Sequence, residues 1–206
     1  MHTYQIVDQG KPLKQAAKAL ILLHGRGSTA RDILSLADMF ADDSFYIAAP
    51  QASRQSWYPY SFMEEEAQNE PWLTSAIETV KKLIEEIATH IPKDQIYLMG
   101  FSQGACLALE TSARYATNYG GIVAFTGGLI GKTLDEKKYQ GNFAETRVFI
   151  GTSDQDPHVP LVRSEQSKTL MEKMGANVTL KVYAGMAHTI NQDEIDWVRK
   201  FIFKKI

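Results

Sequence analysis

Six short runs of apolar residues predict the strands of a sheet. Residues 19–23 read ALILL and contain no polar position, as expected for a strand buried on both faces. Residues 178–183 instead alternate apolar with polar positions, which is typical of a half-exposed edge strand. Four further runs of this kind occupy residues 44–49, 95–101, 121–126 and 147–151.

Segments with helical spacing fill the gaps between these runs. Five apolar residues spaced 4, 3, 4 and 3 positions apart predict one helix: Leu73, Ile77, Val80, Ile84 and Ile87. Close to the C-terminus, Asn191 and Glu194 resemble a capping box, and Ile190 and Ile195 are placed as a hydrophobic staple. Strands separated by helices predict an α/β protein, with a mostly parallel sheet covered by helices on both faces. No Gly/Ser/Pro-rich linker divides the chain, so we expect one domain over residues 1–206.

Composition and charge exclude several classes of protein. Of the 206 residues 44% are hydrophobic, and 22 Lys and Arg stand against 24 Asp and Glu. This balance provides no basic surface for nucleic acid. We find no secretory signal and no apolar run near the roughly 20 residues of a membrane span. The single cysteine excludes an intrachain disulfide. We expect a cytoplasmic protein without nucleic-acid partner or stable membrane insertion; a homodimer is left open.

One segment does not follow the alternation of strands and helices. Residues 51–70 combine Trp57, Tyr58 and Phe62 with three consecutive glutamates and have no clear periodicity. The aromatic residues either pack on the core as a satellite cluster or form the wall of a substrate pocket. We favour the pocket, because the segment follows a strand at the carboxyl edge of the sheet, where α/β proteins bind ligands.

The strongest chemical signal is a G-x-S-x-G motif. Gly100, Ser102 and Gly104 lie between a predicted strand and a predicted helix at residues 105–119. A serine on such a sharp turn has a strained backbone and an exposed hydroxyl. The flanking glycines are required because a Cβ atom there would collide with neighbouring backbone. We predict that Ser102 is a nucleophile.

A serine hydroxyl needs a base, which in this architecture follows it in the chain. Of the five histidines only His158 and His188 do so. His188 lies in a loop between the last predicted strand and the last helix, and we predict that it is the general base. His158 is expected to be a bystander.

Two aspartates compete for the role of the acid that orients the histidine. Asp154 and Asp156 both lie in the turn GTSDQDPHVP, and spacing alone does not separate them. For the oxyanion we predict the backbone N–H groups of Gln103 and of Arg26, the latter in the glycine-rich loop after the first buried strand. The Arg26 side chain is read either as a contact for an acidic substrate group or as an ordinary surface arginine.

Four segments together resemble the phospholipase/carboxylesterase family of the α/β-hydrolase superfamily, which includes the acyl-protein thioesterases and small bacterial carboxylesterases. They are LLHGRG, GFSQGA, DPHVP and the late GMAH, in that order. The resemblance favours Asp156 as the acid and matches Ser102 and His188 to nucleophile and base. It implies an α/β-hydrolase fold without a large cap domain. It also implies hydrolysis of carboxylic esters or thioesters without metal or cofactor, through an acyl-enzyme.

The sequence departs from that pattern at two positions and leaves other functions open. Arg26 stands where the thioesterase branch usually has leucine, and Ala105 where glycine is common. The N-terminal strands of the superfamily are expected to be reduced to residues 2–8. Alternatives are a catalytically silent binding protein on the same fold and a peptidase. Cys106, one helical turn after Ser102, is read as a small buried hydrophobic residue.

Overall fold

The computed structural model describes residues 1–204, and its strands form one seven-stranded sheet. The strand bounds are β1 (Ile6–Gly10), β2 (Lys18–Leu23), β3 (Phe45–Pro50), β4 (Ile96–Phe101), β5 (Gly121–Phe125), β6 (Arg147–Ser153) and β7 (Asn177–Tyr183). Their spatial order is β1-β3-β2-β4-β5-β6-β7. Strand β1 is antiparallel to β3, and all other neighbours are parallel. The six predicted runs are confirmed as strands, while the N-terminal strand begins later than the expected residues 2–8.

The described residues also form helices between the strands. Their bounds are α1 (Ala30–Leu34), α2 (Ala37–Phe40), α3 (Glu66–Asn69), α4 (Trp72–Ala88), α5 (Gln103–Arg114), α6 (Leu161–Lys173) and α7 (Gln192–Phe201), with 3₁₀ turns at Leu13–Gln15, Ser53–Gln55, Lys93–Gln95 and Glu136–Lys138. Helix α5 ends before the predicted residue 119 because Tyr115 leaves the helical conformation, with φ −128° and ψ 51°. Within residues 1–204, none of the helices is both long enough and apolar enough to cross a membrane.

The sheet is buried on both faces, as the ALILL run predicts. Ala19, Ile21 and Leu23 belong to the cluster that contains the apolar residues of α4 and α5. Leu20 and Leu22 point the opposite way, into the cluster built from α1, α2 and α7. All five side chains have 0% exposure. Alternate positions of one strand therefore hold the two helical layers against the sheet.

The predicted capping box is present at the start of α7. The Asn191 side chain accepts from the Glu194 amide, and one Glu194 carboxylate oxygen accepts from the Asn191 amide. Glu194 is fully buried, and its other oxygen, Oε1, has no hydrogen-bond partner among the described residues. A Cβ atom on Gly151 would collide with that oxygen. Burial raises the pKa of Glu194 to about 7, from the 4.5 usual for glutamate.

This burial predicts a pH-dependent cost for Glu194. Between about pH 4.5 and 7 the unfolded chain has released the proton that folded Glu194 still holds, so stability falls as the pH rises across that window. Glu194→Gln is expected to be more stable than the wild type at pH 8, by about 2–3 kcal/mol, with the difference shrinking towards pH 5. Urea unfolding at both pH values measures it. The exposed Glu165→Gln is the control, and an equal difference at both pH values would contradict the assignment.

Candidate active site

Ser102 lies at the sharp turn between β4 and α5. Its backbone adopts φ 55° and ψ −118°, a strained conformation for a residue with a side chain. The two motif glycines make the turn possible. A Cβ atom on Gly100 would overlap the Gly104 carbonyl group, and one on Gly104 would collide with the carbonyl oxygen of Leu23 in β2. The sequence G-x-S-x-G is therefore required by contacts between β4, α5 and the neighbouring strand.

His188, in the loop after β7, bridges the serine and an aspartate. Its Nε2 lies 2.8 Å from Ser102 Oγ, and its Nδ1 lies 2.7 Å from Asp156 Oδ2. The other Asp156 oxygen accepts from the amides of His158, at 2.8 Å, and Val159, at 3.0 Å. These contacts assign the proton to Nδ1, facing the carboxylate, and leave Nε2 as an acceptor for the serine hydroxyl.

The two candidate aspartates occupy different places. Asp154 Oδ1 accepts from the amide of Gly185 at 2.7 Å and so ties the loop after β6 to the loop that carries His188. Asp156 is the aspartate that contacts the imidazole. Burial acts to raise the pKa of Asp156, but the hydrogen bond from His188 and the two amide donors outweigh it, and the pKa is lowered. This carboxyl group therefore stays ionised at neutral pH.

The two predicted oxyanion donors flank the serine. Gln103 is the first residue of α5, directly after Ser102, and Arg26 lies in the loop after β2. Neither amide N–H donates to an acceptor in residues 1–204. Gly25 brings that loop against the turn, since a Cβ there would lie 3.6 Å from Ser102 Cβ. Both N–H groups are therefore free to bind a ligand oxygen.

A cavity of about 620 Å³ opens in front of the serine. Its aromatic and apolar walls come from the loop after β3, from the end of β4 and from the turn before α6. Besides Ser102 and His188, the residues lining it include Arg26, Tyr58, Tyr60, Phe62, Phe101, Cys106, His158 and Val159. Burial raises the pKa of the Cys106 thiol to about 12, so it is not a thiolate at neutral pH.

Of the three aromatic residues expected to bind substrate, Tyr58 and Phe62 line this cavity and Trp57 does not. Trp57 has 0% exposure, and its indole Nε1 donates to the carbonyl oxygen of His24 at 2.9 Å. Its ring packs on the His24 ring, with centroids 5.0 Å apart. Trp57 therefore belongs to the core beneath the site. The expectation of a pocket wall fails here because an aperiodic segment does not show which way each ring points.

Trp57→Ala is consequently expected to affect stability more than substrate preference. Removing a fully buried tryptophan costs about 3–5 kcal/mol, which lowers the melting temperature of a domain of this size by roughly 10 °C. Thermal unfolding by circular dichroism measures the change. Tyr60→Ala is the matched control, because Tyr60 lines the cavity but is 56% exposed. A melting temperature unchanged by Trp57→Ala would argue against the core assignment.

The Gln103 side chain has a role that the motif did not reveal. Its Oε1 accepts from the Trp57 amide at 2.9 Å, and its Nε2 donates to the Tyr58 carbonyl oxygen at 2.9 Å. The residue after the nucleophile thus fastens the aromatic loop to the turn. In the sequence, the only sign of this role is a polar residue before Gly104, and it does not show which groups the Gln103 side chain would bind.

His24 supports the same region from below. It is fully buried; Nδ1 donates to the Gly25 carbonyl oxygen at 2.8 Å, and Nε2 accepts from the Ala52 amide at 3.1 Å. Burial lowers its pKa, so the ring is neutral. The residue holds the loop after β2 against the loop after β3.

His158, expected to be a bystander, contacts the central imidazole. Its ring meets the His188 ring edge-on, with centroids 4.8 Å apart, and Phe101 lies on His188 at 5.2 Å. His188 is therefore confined by two rings as well as by Asp156.

Fold and site together define the class of protein: an α/β-hydrolase fold with a serine at the turn after the central strand and an aspartate-bound histidine facing it. The chain belongs to the phospholipase/carboxylesterase family of hydrolases, whose sequence profile matches residues 3–206.

Similarity to individual proteins agrees with this family. A crystal structure of a phospholipase/carboxylesterase from Dyadobacter fermentans is 51% identical, with a TM-score of 0.96, and the match covers 98% of this chain and 97% of that one. Acyl-protein thioesterase 1 of Saccharomyces cerevisiae is 37% identical over 136 residues, 65% of this chain. That alignment spans only 59% of the yeast protein. The Bacillus cereus carboxylesterase, 23% identical with a TM-score of 0.76 over 97% of this chain and 93% of its own, shares the fold.

Proposed function

We propose that the protein is a serine carboxylesterase (EC 3.1.1 type) that uses Ser102, His188 and Asp156 as its catalytic triad. The observation that carries the proposal is the unbroken chain of contacts, 2.8 Å from Ser102 Oγ to His188 Nε2 and 2.7 Å from His188 Nδ1 to Asp156 Oδ2. A base within hydrogen-bond distance of the hydroxyl, itself oriented by a third group, is the arrangement that activates a serine.

The geometry supports a two-step acyl transfer. Ser102 Oγ attacks the carbonyl carbon while His188 Nε2 takes its proton, and the oxyanion accepts from the N–H groups of Arg26 and Gln103. The imidazolium, stabilised by Asp156, then protonates the leaving group and the acyl-enzyme remains. Water gives a proton to His188 and attacks the acyl carbonyl, and the acid leaves as Ser102 regains its proton.

The walls of the cavity suit the acyl part of a small ester. Tyr58, Phe62, Phe101 and Val159 offer apolar surface beside the serine. Relatives named phospholipase/carboxylesterase and acyl-protein thioesterase support esters and thioesters as the substrate class. The catalytic steps use no metal or cofactor.

A fluorophosphonate probe tests the proposal, because it reacts with an activated serine. We expect one adduct, on the peptide that contains Ser102, and none in Ser102→Ala. Ser61→Ala is the control, since Ser61 lines the same cavity and its loss should leave labelling intact. An adduct on Ser61 would refute Ser102 as the nucleophile, and the absence of any adduct on the wild type would favour a silent binding protein.

Further parts of the proposal rest on the sequence. We treat residues 1–206 as one domain, supported by the single sheet, and propose a cytoplasmic location and a small-molecule substrate. The oligomeric state, monomer or homodimer, is left open.

A further inference from the structure

The cavity in front of Ser102 has an unbalanced charge. Arg26 is the one Lys or Arg side chain that lines it, and no Asp or Glu of the described chain does so. Both oxygens of the Asp156 carboxylate accept hydrogen bonds, one from His188 and the other from two backbone amides. The walls are otherwise aromatic, apolar or neutral, apart from the two histidines. A protein with a net charge of −2 therefore presents a positive charge at this site.

The Arg26 guanidinium is held in place without being neutralised. It donates to the carbonyl oxygens of Pro59, at 2.8 Å, and Tyr60, at 2.7 Å. Carbonyl groups fix its position but carry no formal charge. Arginine has five N–H donors, so donors remain after these two bonds. Within residues 1–204 no carboxylate lies within 4.0 Å of it.

Three carboxylates on segments that adjoin residues lining the cavity have partners of their own. Asp32 accepts from the Ser28 hydroxyl and the Thr29 amide at the start of α1. Glu65 pairs with Lys132 at 3.2 Å. Glu66 pairs with two cations of its own, Arg114 and Lys138. The positive charge of Arg26 is thus available to a ligand.

The same residue links this charge to the reacting centre. The backbone N–H of Arg26 is one of the two free donors beside Ser102, so the guanidinium stands within one side-chain length of the carbonyl that those donors would hold. Sheet order places the loop after β2 on one flank of β4, and the loops after β6 and β7 on the other. A group bound by Arg26 would therefore lie on the flank away from the histidines.

We infer, resting on the proposed function, that the site selects esters carrying an anionic group, a carboxylate or a phosphate a few bonds from the scissile carbonyl, and that the Arg26 side chain binds that group. A guanidinium with free donors recognises either oxyanion through charge-assisted hydrogen bonds.

Two matched substrate pairs test the inference. The first compares mono-p-nitrophenyl glutarate with p-nitrophenyl hexanoate and places the charge in the acyl part. The second compares butyryl glycerol phosphate with glyceryl monobutyrate and places it in the alcohol part. For each pair the ratio of kcat/KM, anionic over neutral, is measured for the wild type, Arg26→Met and Arg26→Lys. Arg31→Met is the control, since it removes an exposed arginine of α1 that does not line the cavity.

We expect the ratio of at least one pair to fall about tenfold or more in Arg26→Met, the loss of one charge-assisted interaction. Arg26→Lys should retain part of it, and Arg31→Met should match the wild type. Because both esters of a pair use the same loop, displacement of the loop lowers both rates and leaves the ratio unchanged. The pair that responds identifies the part of the substrate that carries the charge.

The inference is overturned if neither ratio changes in Arg26→Met, or if Arg31→Met lowers a ratio equally. Its failure is distinct from that of the proposed function. If hydrolysis of p-nitrophenyl hexanoate requires Ser102 but neither ratio depends on Arg26, the protein is an esterase without a preference for anionic substrates. If hydrolysis persists in Ser102→Ala, the proposed function itself is wrong.

Discussion

Ser102→Ala is expected to lower kcat for a short p-nitrophenyl ester by about 10⁶-fold, the order of loss seen when a triad serine is removed. The hydroxyl is the group that His188 contacts at 2.8 Å, and alanine leaves nothing for the carbonyl carbon to bond. Steady-state release of p-nitrophenolate by purified protein measures the effect. Circular dichroism checks that the variant is folded.

Cys106→Ala is the matched control for this experiment. Cys106, the single cysteine of the chain, also lines the cavity and lies one helical turn along α5. Its thiol has a pKa raised by burial to about 12, so we expect the variant to keep most of the wild-type rate. The reverse result, an inactive Cys106→Ala beside an active Ser102→Ala, would reassign the nucleophile to sulfur.

Asp156→Asn is expected to lower kcat by about 10⁴-fold, as when the triad acid is replaced in a serine protease. The asparagine oxygen can still accept from the amides of His158 and Val159, so the turn should hold. The new NH₂ group would then face His188 Nδ1 and require it to accept. That tautomer places the proton on Nε2, which can no longer remove one from Ser102.

Asp154→Asn separates this effect from simple damage to the loop. Asp154 accepts from the Gly185 amide, and asparagine offers an oxygen for the same bond. We expect the variant to retain most of its activity, measured with the same ester. A large loss in Asp154→Asn, together with an active Asp156→Asn, would move the acid to the other aspartate.

The strands and helices that have a regular pattern of apolar residues could be predicted from the sequence. ALILL has no polar position, so burial on both faces followed directly, and the spacing from Leu73 to Ile87 lies within α4. The end of α5 could not be predicted in the same way. The pattern of apolar and polar residues does not change at Tyr115, yet the helix ends there and the chain continues towards β5.

The parts of the candidate site that depend on neighbouring residues in the sequence could be predicted. The parts that depend on the orientation of a side chain could not. The serine turn follows from two glycines with a strand before and a helix after. The choice between Asp154 and Asp156 depends on how one turn is folded, which spacing does not contain. The inward ring of Trp57 and the contacts of Arg26 depend on long-range partners, His24 in one case and the loop carbonyls in the other.

The attachment of the aromatic loop through Gln103 has a consequence for how this protein can change over evolution. Gln103 and Arg26 hold residues 57–60 by main-chain amide and carbonyl groups alone. The Tyr60 side chain, which is 56% exposed, can therefore be exchanged without disturbing the bonds that anchor this loop. Mutation can broaden or narrow the range of accepted substrates there while the reacting groups keep their places. A library randomised at position 60 is the natural starting point for engineering new selectivity.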